Sequence, residues 1–179
     1  MLKNTPQSFG LISKFLHWVM AFLLTALFGI GLYMTGLDYY DPLYHSLPWW
    51  HKSFGLLVLF LLIIRFMWKL LSIEPQPPGN HKQWETRLAH LTQHLFYLLI
   101  LLITLSGYFI ATAEGKGIDF FNVFELPAVI SEIDEDTADL FGEAHQLLSY
   151  LLAGFVILHS LGALKHHFID KDETLKRML

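Results

Sequence analysis

Ten histidines punctuate a chain of 179 residues, and four of them lie within or at the edge of long apolar runs. His17 sits two or three residues into the first run, and His159 five residues before the fourth ends. His51 stands at the start of the second run and His145 at the start of the fourth. A neutral imidazole offers a nitrogen lone pair to a metal, and here it has little competition. The sequence has no cysteine, which excludes disulfides, iron–sulfur clusters, thiolate zinc sites and covalent c-type haem attachment.

The spacing then matters. His145 and His159 are 14 residues apart, which on a helix is about 40° short of four full turns and a rise of about 21 Å. They share a face at two depths, and His17 and His51 offer a partner at each depth. Two haems, each held by two histidines, would fit inside such a bundle. Two axial imidazoles leave iron no open position, which favours electron transfer over oxygen activation. Small residues at Gly29, Gly31, Gly55, Gly107, Gly154 and Gly162 would let a flat macrocycle approach the helices.

A lone histidine in a membrane is as readily a hydrogen-bond partner for a neighbouring helix. Four at two matched depths point to a cofactor. His90 and His94, four apart near the start of the third run, compete for the level of His17 and His159, and spacing does not reject His94. The outer pair has no such rival: His45 lies in a polar loop between Pro42 and Pro48. His81 belongs to a polar turn and is expected in solvent.

The elements that must carry these residues are membrane spans. The chain is 54% hydrophobic and 15% aromatic, too apolar for a soluble domain of this size. A hydrocarbon core of about 30 Å takes roughly 20 apolar residues, and four runs approach that: 15–35, 53–71, 95–113 and 146–164. The expected fold is an all-α membrane protein, a single four-transmembrane-helix bundle domain over residues 1–179. Arg65 and Lys69 interrupt the second run in its last two turns, where long basic side chains snorkel to the interface. The first run follows Lys3 and Lys14 as a signal peptide would. It is long for one and no small-x-small site follows, so it is read as a span.

Positive charge marks the cytoplasmic side. Lys3, Lys14, Arg65, Lys69, Lys82, Arg87, Lys165, Lys171, Lys176 and Arg177 fall at the N-terminus, the second connection and the C-terminus, leaving Lys52 and Lys116 opposite. Both termini are expected in the cytoplasm. The outer side sets eleven acids, among them Asp119, Glu125, Asp134 and Glu143, against those two cations, a balance of −9. Such a face suits a cationic partner, such as a basic soluble cytochrome, better than an anion. The acidic segment 114–143, with Pro127, is expected as a loop or surface helix over the outer mouth. Gln76 to Gly79, flanked by Pro75, makes the inner turn. Tyr39, Tyr40, Tyr44, Trp49 and Trp50 outside, and Trp68 and Trp84 inside, form the interfacial belt.

At the inner exit of the fourth span, His166 and His167 after Lys165 are either plain interfacial residues or, with it, a basic, proton-carrying cluster beside the inner histidine level. A quinone head group at the lipid boundary needs such a site, because its reduction consumes two protons that histidine can relay.

The motifs Phe15-Leu-His17-Trp18, His51-Lys-Ser-Phe-Gly55, Leu88-Ala-His90-Leu-Thr-Gln-His94, and His145 with His159 before His166-His167-Phe-Ile-Asp-Lys-Asp resemble the bacterial cytochrome b561 family nearly end to end. The resemblance implies two b haems, with His17 paired to His159 and His51 to His145 as axial ligands. It implies superoxide oxidation at the outer haem coupled to ubiquinone reduction near the inner one, with His167 and its basic neighbours close to the quinone. It also implies a multi-pass protein of a bacterial inner membrane. The resulting expectation is a diheme cytochrome between the quinone pool and a small redox molecule or soluble electron carrier at the outer face, with no nucleic-acid partner. A haem-bearing anchor subunit of a larger dehydrogenase or hydrogenase is the second reading. A histidine-lined metal transporter is the third, and it lacks the intramembrane acids such a path needs.

Overall fold

Stretches of chain that are apolar for some 20 residues cannot leave backbone groups unpaired in lipid, so they fold as helices. The computed structural model, which describes residues 1–78 and 82–179, contains four: α1 (Leu11–Met34), α2 (Ser46–Leu71), α3 (Gln83–Ala111) and α4 (Glu135–Lys165). All four are long and apolar enough to cross a membrane. His81 and the Gly79 end of the expected inner turn fall outside the described residues.

The helices outrun the apolar stretches. The third begins at Gln83 rather than near Leu95, and the fourth at Glu135 rather than near Gln146. Hydrophobicity marks only the part that meets hydrocarbon, whereas a helix continues as long as its end is capped. Glu85 accepts from the Lys82 amide at 2.9 Å to start α3. Asp134 accepts from the Thr137 amide at 3.0 Å and from its hydroxyl at 2.8 Å to start α4. Those bonds hold the Asp134 carboxyl below its ordinary range.

Between α3 and α4 the chain forms an antiparallel hairpin of β1 (Ile118–Phe120) and β2 (Phe124–Leu126), with Ile118 opposite Leu126. Its turn places Phe121 and Asn122 in the left-handed region, at φ of 51° and 57°. Asn adopts that conformation readily and Phe does not. The Phe121 ring is held against Phe54, Trp50 and Trp49, at centroid distances of 5.1, 6.0 and 6.2 Å. Trp49 donates to the Asp119 carboxylate at 2.8 Å and Ser53 to the Asp119 carbonyl at 3.1 Å, tying the hairpin to α2. The Tyr108 hydroxyl donates to the Pro127 carbonyl and accepts from the Val129 amide, each at 2.8 Å, tying the returning chain to α3.

The opposite end is closed by the N-terminal segment, the connection after α2 and the C-terminal tail. Asn4 donates to the Ile73 carbonyl, the Gln76 amide to the Pro6 carbonyl, and Arg177 to the Gln76 carbonyl. Trp18 donates to the Met178 carbonyl at 2.7 Å. Both termini therefore lie at the same end as the α2–α3 connection.

Met20, Leu27, Val58, Leu62, Leu99, Ile100 and Leu152 form the buried centre, and Leu56, Tyr108 and Ile118 a second cluster under the hairpin. Phe22, Ile64, Leu98 and Ile157 point outward, where lipid meets them without penalty, so the helices are held by close packing and polar bonds rather than by flight from water. Successive helices pack along one another, but α1 and α4 barely meet. That separation makes room for the site.

Candidate functional site

A cavity of 2370 Å³ runs through the bundle, lined by His17, His51, Arg65, Gly107, His145 and His159 among others. At one end it reaches Gln76 and Arg177, and at the other Lys52 and Glu114. Each of the first, second and fourth helices delivers side chains to it at a fixed depth.

The four histidines meet in two pairs. His17 of α1 faces His159 of α4 with ring centroids 6.3 Å apart and planes at 64°. His51 of α2 faces His145 of α4 at 6.2 Å and 71°. The spacing of His145 and His159 along one helix sets the two levels.

The surroundings of the pairs differ. His145 Nδ1 lies 2.9 Å from the Ile103 carbonyl and 3.3 Å from the Ser106 hydroxyl. A carbonyl only accepts, so Nδ1 carries the proton and Nε2 keeps its lone pair. His145 comes that close because it rests on Gly107: a Cβ there would stand 2.9 Å from His145 Cε1. Gly31 is a gentler neighbour of His51, with 3.4 Å between a Cβ and Cε1. The Nδ1 of His51 is buried without a hydrogen-bond partner among the described residues.

His17 Nδ1 instead faces Arg65, 3.2 Å from a guanidinium nitrogen. Arg65 does not snorkel to the interface as its position near the helix end suggested. Its guanidinium turns into the cavity, toward His17 and the Met20 sulfur at 4.0 Å. The reason is angular: Arg65 follows His51 by the same 14 residues that separate His145 from His159, so it projects from the inward face of α2. That repeat was the signal in the sequence. Lys69, one turn on, is bonded to Gln93 at 2.7 Å and is also drawn inward, 5.7 Å from the Tyr97 ring centre.

His94 lies on an exposed part of α3, with Nδ1 2.7 Å from the His90 carbonyl. His90 is 3.5 Å from Glu74. Neither ring joins the His17–His159 pair. His45 stands just before α2, without a side-chain capping bond, with its ring against Tyr39 and Tyr44.

At the inner exit, α4 continues as one turn of π-helix, His166–Asp170, a distortion that often marks functional positions. Lys165 Nζ bridges Asp170 at 2.5 Å and Glu85 at 3.1 Å. His166 Nδ1 lies 2.9 Å from Asp170 and 2.8 Å from Asp172. Glu85, His166 and Asp170 stand close enough to hold a cation, and the Lys165 ammonium already supplies one there. His167 Nδ1 is buried without a partner among the described residues.

Residues 8–179 match the family model described as prokaryotic cytochrome b561. The chain belongs to that family. It is 44% identical over 177 residues to cytochrome b561 homolog 2 of Escherichia coli (strain K12), covering 98% of this chain and 93% of the relative. It is 30% identical over 135 residues to the probable superoxide oxidase CybB of Yersinia pestis, covering 74% and 76%. Cytochrome b561 homolog 1 of Escherichia coli is 27% identical over 175 residues, covering 92% and 93%. The protein is thus a membrane haem protein of the cytochrome b561 family, its four helices those of a b-type cytochrome.

Proposed function

We propose that this cytochrome b561 carries two b haems, one between His17 and His159 and one between His51 and His145, and transfers electrons between ubiquinone and a redox partner at the hairpin face. The observation that carries the proposal is the separation within each pair of rings. An imidazole nitrogen binds a transition metal at about 2.0–2.1 Å and the ring centre lies roughly 1.1 Å behind it, so two opposed ligands put their centres about 6.3 Å apart. The two pairs stand at 6.3 and 6.2 Å. The cavity of 2370 Å³ exceeds twice the roughly 1,000 Å³ that bounds an ordinary single-ligand pocket, which supports two groups rather than one.

Bound between such pairs, haem supplies a one-electron carrier closed to oxygen. The protein contributes the rest. The four histidines fix the two levels, Ile103 holds the proton of His145 on the far nitrogen, and the apolar helices exclude water.

The quinone site of this reading lies at Lys165, His166 and His167. The unpartnered Nδ1 of His167 can serve a quinone carbonyl, and His166 with Asp170 and Asp172 can relay protons to it. Clustering of basic residues at the end that carries both termini supports a cytoplasmic position for that end in a bacterial inner membrane.

For the outer partner, superoxide is the leading specific case, given the name of one relative. The acidic hairpin face favours a cationic carrier. Of the two outer cations, Lys116 is paired with Glu114 at 2.7 Å, which holds the Glu114 carboxyl low and the ammonium high relative to their ordinary values. Lys52 is then the principal attraction for an anion.

Anaerobic addition of ubiquinol to the purified holoprotein tests the quinone half. Appearance of the reduced b-type absorbance is expected, and faster than in a His167→Ala variant. Haem that dithionite reduces but ubiquinol does not would contradict the assignment.

A further inference from the structure

We propose that Arg65 is the counter-ion of a propionate carboxylate on the haem between His17 and His159, and that its charge holds that haem's reduction potential up. The inference rests on the two-haem reading.

A guanidinium stays charged at any accessible pH, and a charge within a membrane span is stable only when it faces the protein interior and finds a partner. Arg65 faces the interior, yet its neighbours are the neutral His17 ring, the Met20 thioether and the Tyr97 phenol, none of them an anion. Among the described residues no carboxylate lies within ion-pair distance of it, while the acids at this end are engaged by Lys165, Lys176, His90 and His166. The described residues surround a permanent cation with a cavity and give it no anion.

The bond to His17 cannot persist once that ring binds iron. Arginine only donates, so His17 Nδ1 accepts from Arg65 and the ring proton sits on Nε2. If Nε2 is the ligand, its proton must move to Nδ1, which then has no lone pair for Arg65. If Nδ1 is the ligand, Arg65 is displaced from it directly. Either route releases the guanidinium from His17 and leaves it, beside Tyr97, with donors to spare at the inner level. The outer pair has no such conflict, because His145 Nδ1 already donates to Ile103.

Haem b brings two carboxylates, and the planar fork of arginine matches a carboxylate with two parallel hydrogen bonds. Arg65 lies on the inward face of α2 at the level of His17, with Lys69 one turn further toward the inner end. A cation beside the macrocycle favours the added electron, so it raises the potential of this haem and leaves the outer one, about 21 Å away along α4, nearly untouched.

The test is a spectroelectrochemical titration of the full-length holoprotein and its Arg65→Gln and Arg65→Lys variants, with redox-difference infrared spectra of haem labelled with ¹³C at the propionate carboxyls. Arg65→Gln is expected to lower one of two potentials and to shift the labelled carboxylate bands. Arg65→Lys keeps the charge without the fork, so it should leave both potentials near wild type and still shift those bands. If Arg65→Gln loses haem, the Lys variant alone carries the test through its bands. Two haems in the wild type with labelled bands unmoved in both variants overturns this inference alone. One haem or none in the wild type overturns the reading beneath it.

Discussion

His145 lies on the bare backbone of Gly107: a Cβ at that glycine would come within 2.9 Å of His145 Cε1 and 3.1 Å of Nδ1. The same approach brings Nδ1 to the carbonyl of Ile103, one turn earlier on α3. One missing side chain thus sets both the place and the proton of the ring.

Gly107→Ala should therefore weaken the outer site. Forcing a methyl group into a packed contact costs about 1–3 kcal/mol, and here it falls on a ring that must hold its orientation. Haem bound per polypeptide is expected to fall. Gly31→Ala, whose Cβ would stand at 3.4 Å from His51, should keep its haem. Equal haem content in the two variants would contradict the role of Gly107.

Tyr108→Phe removes the hydroxyl that holds Pro127 and Val129. Each hydrogen bond contributes about 0.5–1.5 kcal/mol net, and both serve the same segment. Faster amide exchange and proteolysis are expected between residues 112 and 134, with the four helices unchanged. Unaltered exchange there would show that the hairpin is held by Trp49 and Ser53 alone.

The orientation can be read directly because the chain has no cysteine. A cysteine placed at Asn122, in the hairpin turn, should react in intact spheroplasts with a reagent that does not cross membranes. One placed at Lys3 should react only after permeabilisation. The reverse pattern would invert the proposed topology.

The spans and the paired depths of the histidines were legible in the sequence because both follow from helical geometry and bilayer thickness. The helix starts at Gln83 and Glu135 were not, since capping by Glu85 and Asp134 extends helices beyond the apolar stretches. The hairpin was hidden in an acidic segment whose strands are three residues each, too short for an alternating pattern to register. Arg65 was read as snorkelling because its place near a helix end suggested it. Its 14-residue spacing from His51 carried the better signal, that it shares the cavity face. The ion pairs of Lys165 and His166 with Glu85, Asp170 and Asp172 depend on a π-turn and a left-handed Lys171, which no periodicity announces.

The central claim, two haems on four named histidines, is tested most directly by pyridine hemochrome analysis of purified protein, expressed as haem per polypeptide. The account predicts two b haems in the wild type, about one in His51→Ala, His145→Ala, His17→Ala or His159→Ala, and two in His94→Ala. A wild type without haem, or single variants of the four that keep both haems while His94→Ala loses one, would contradict it.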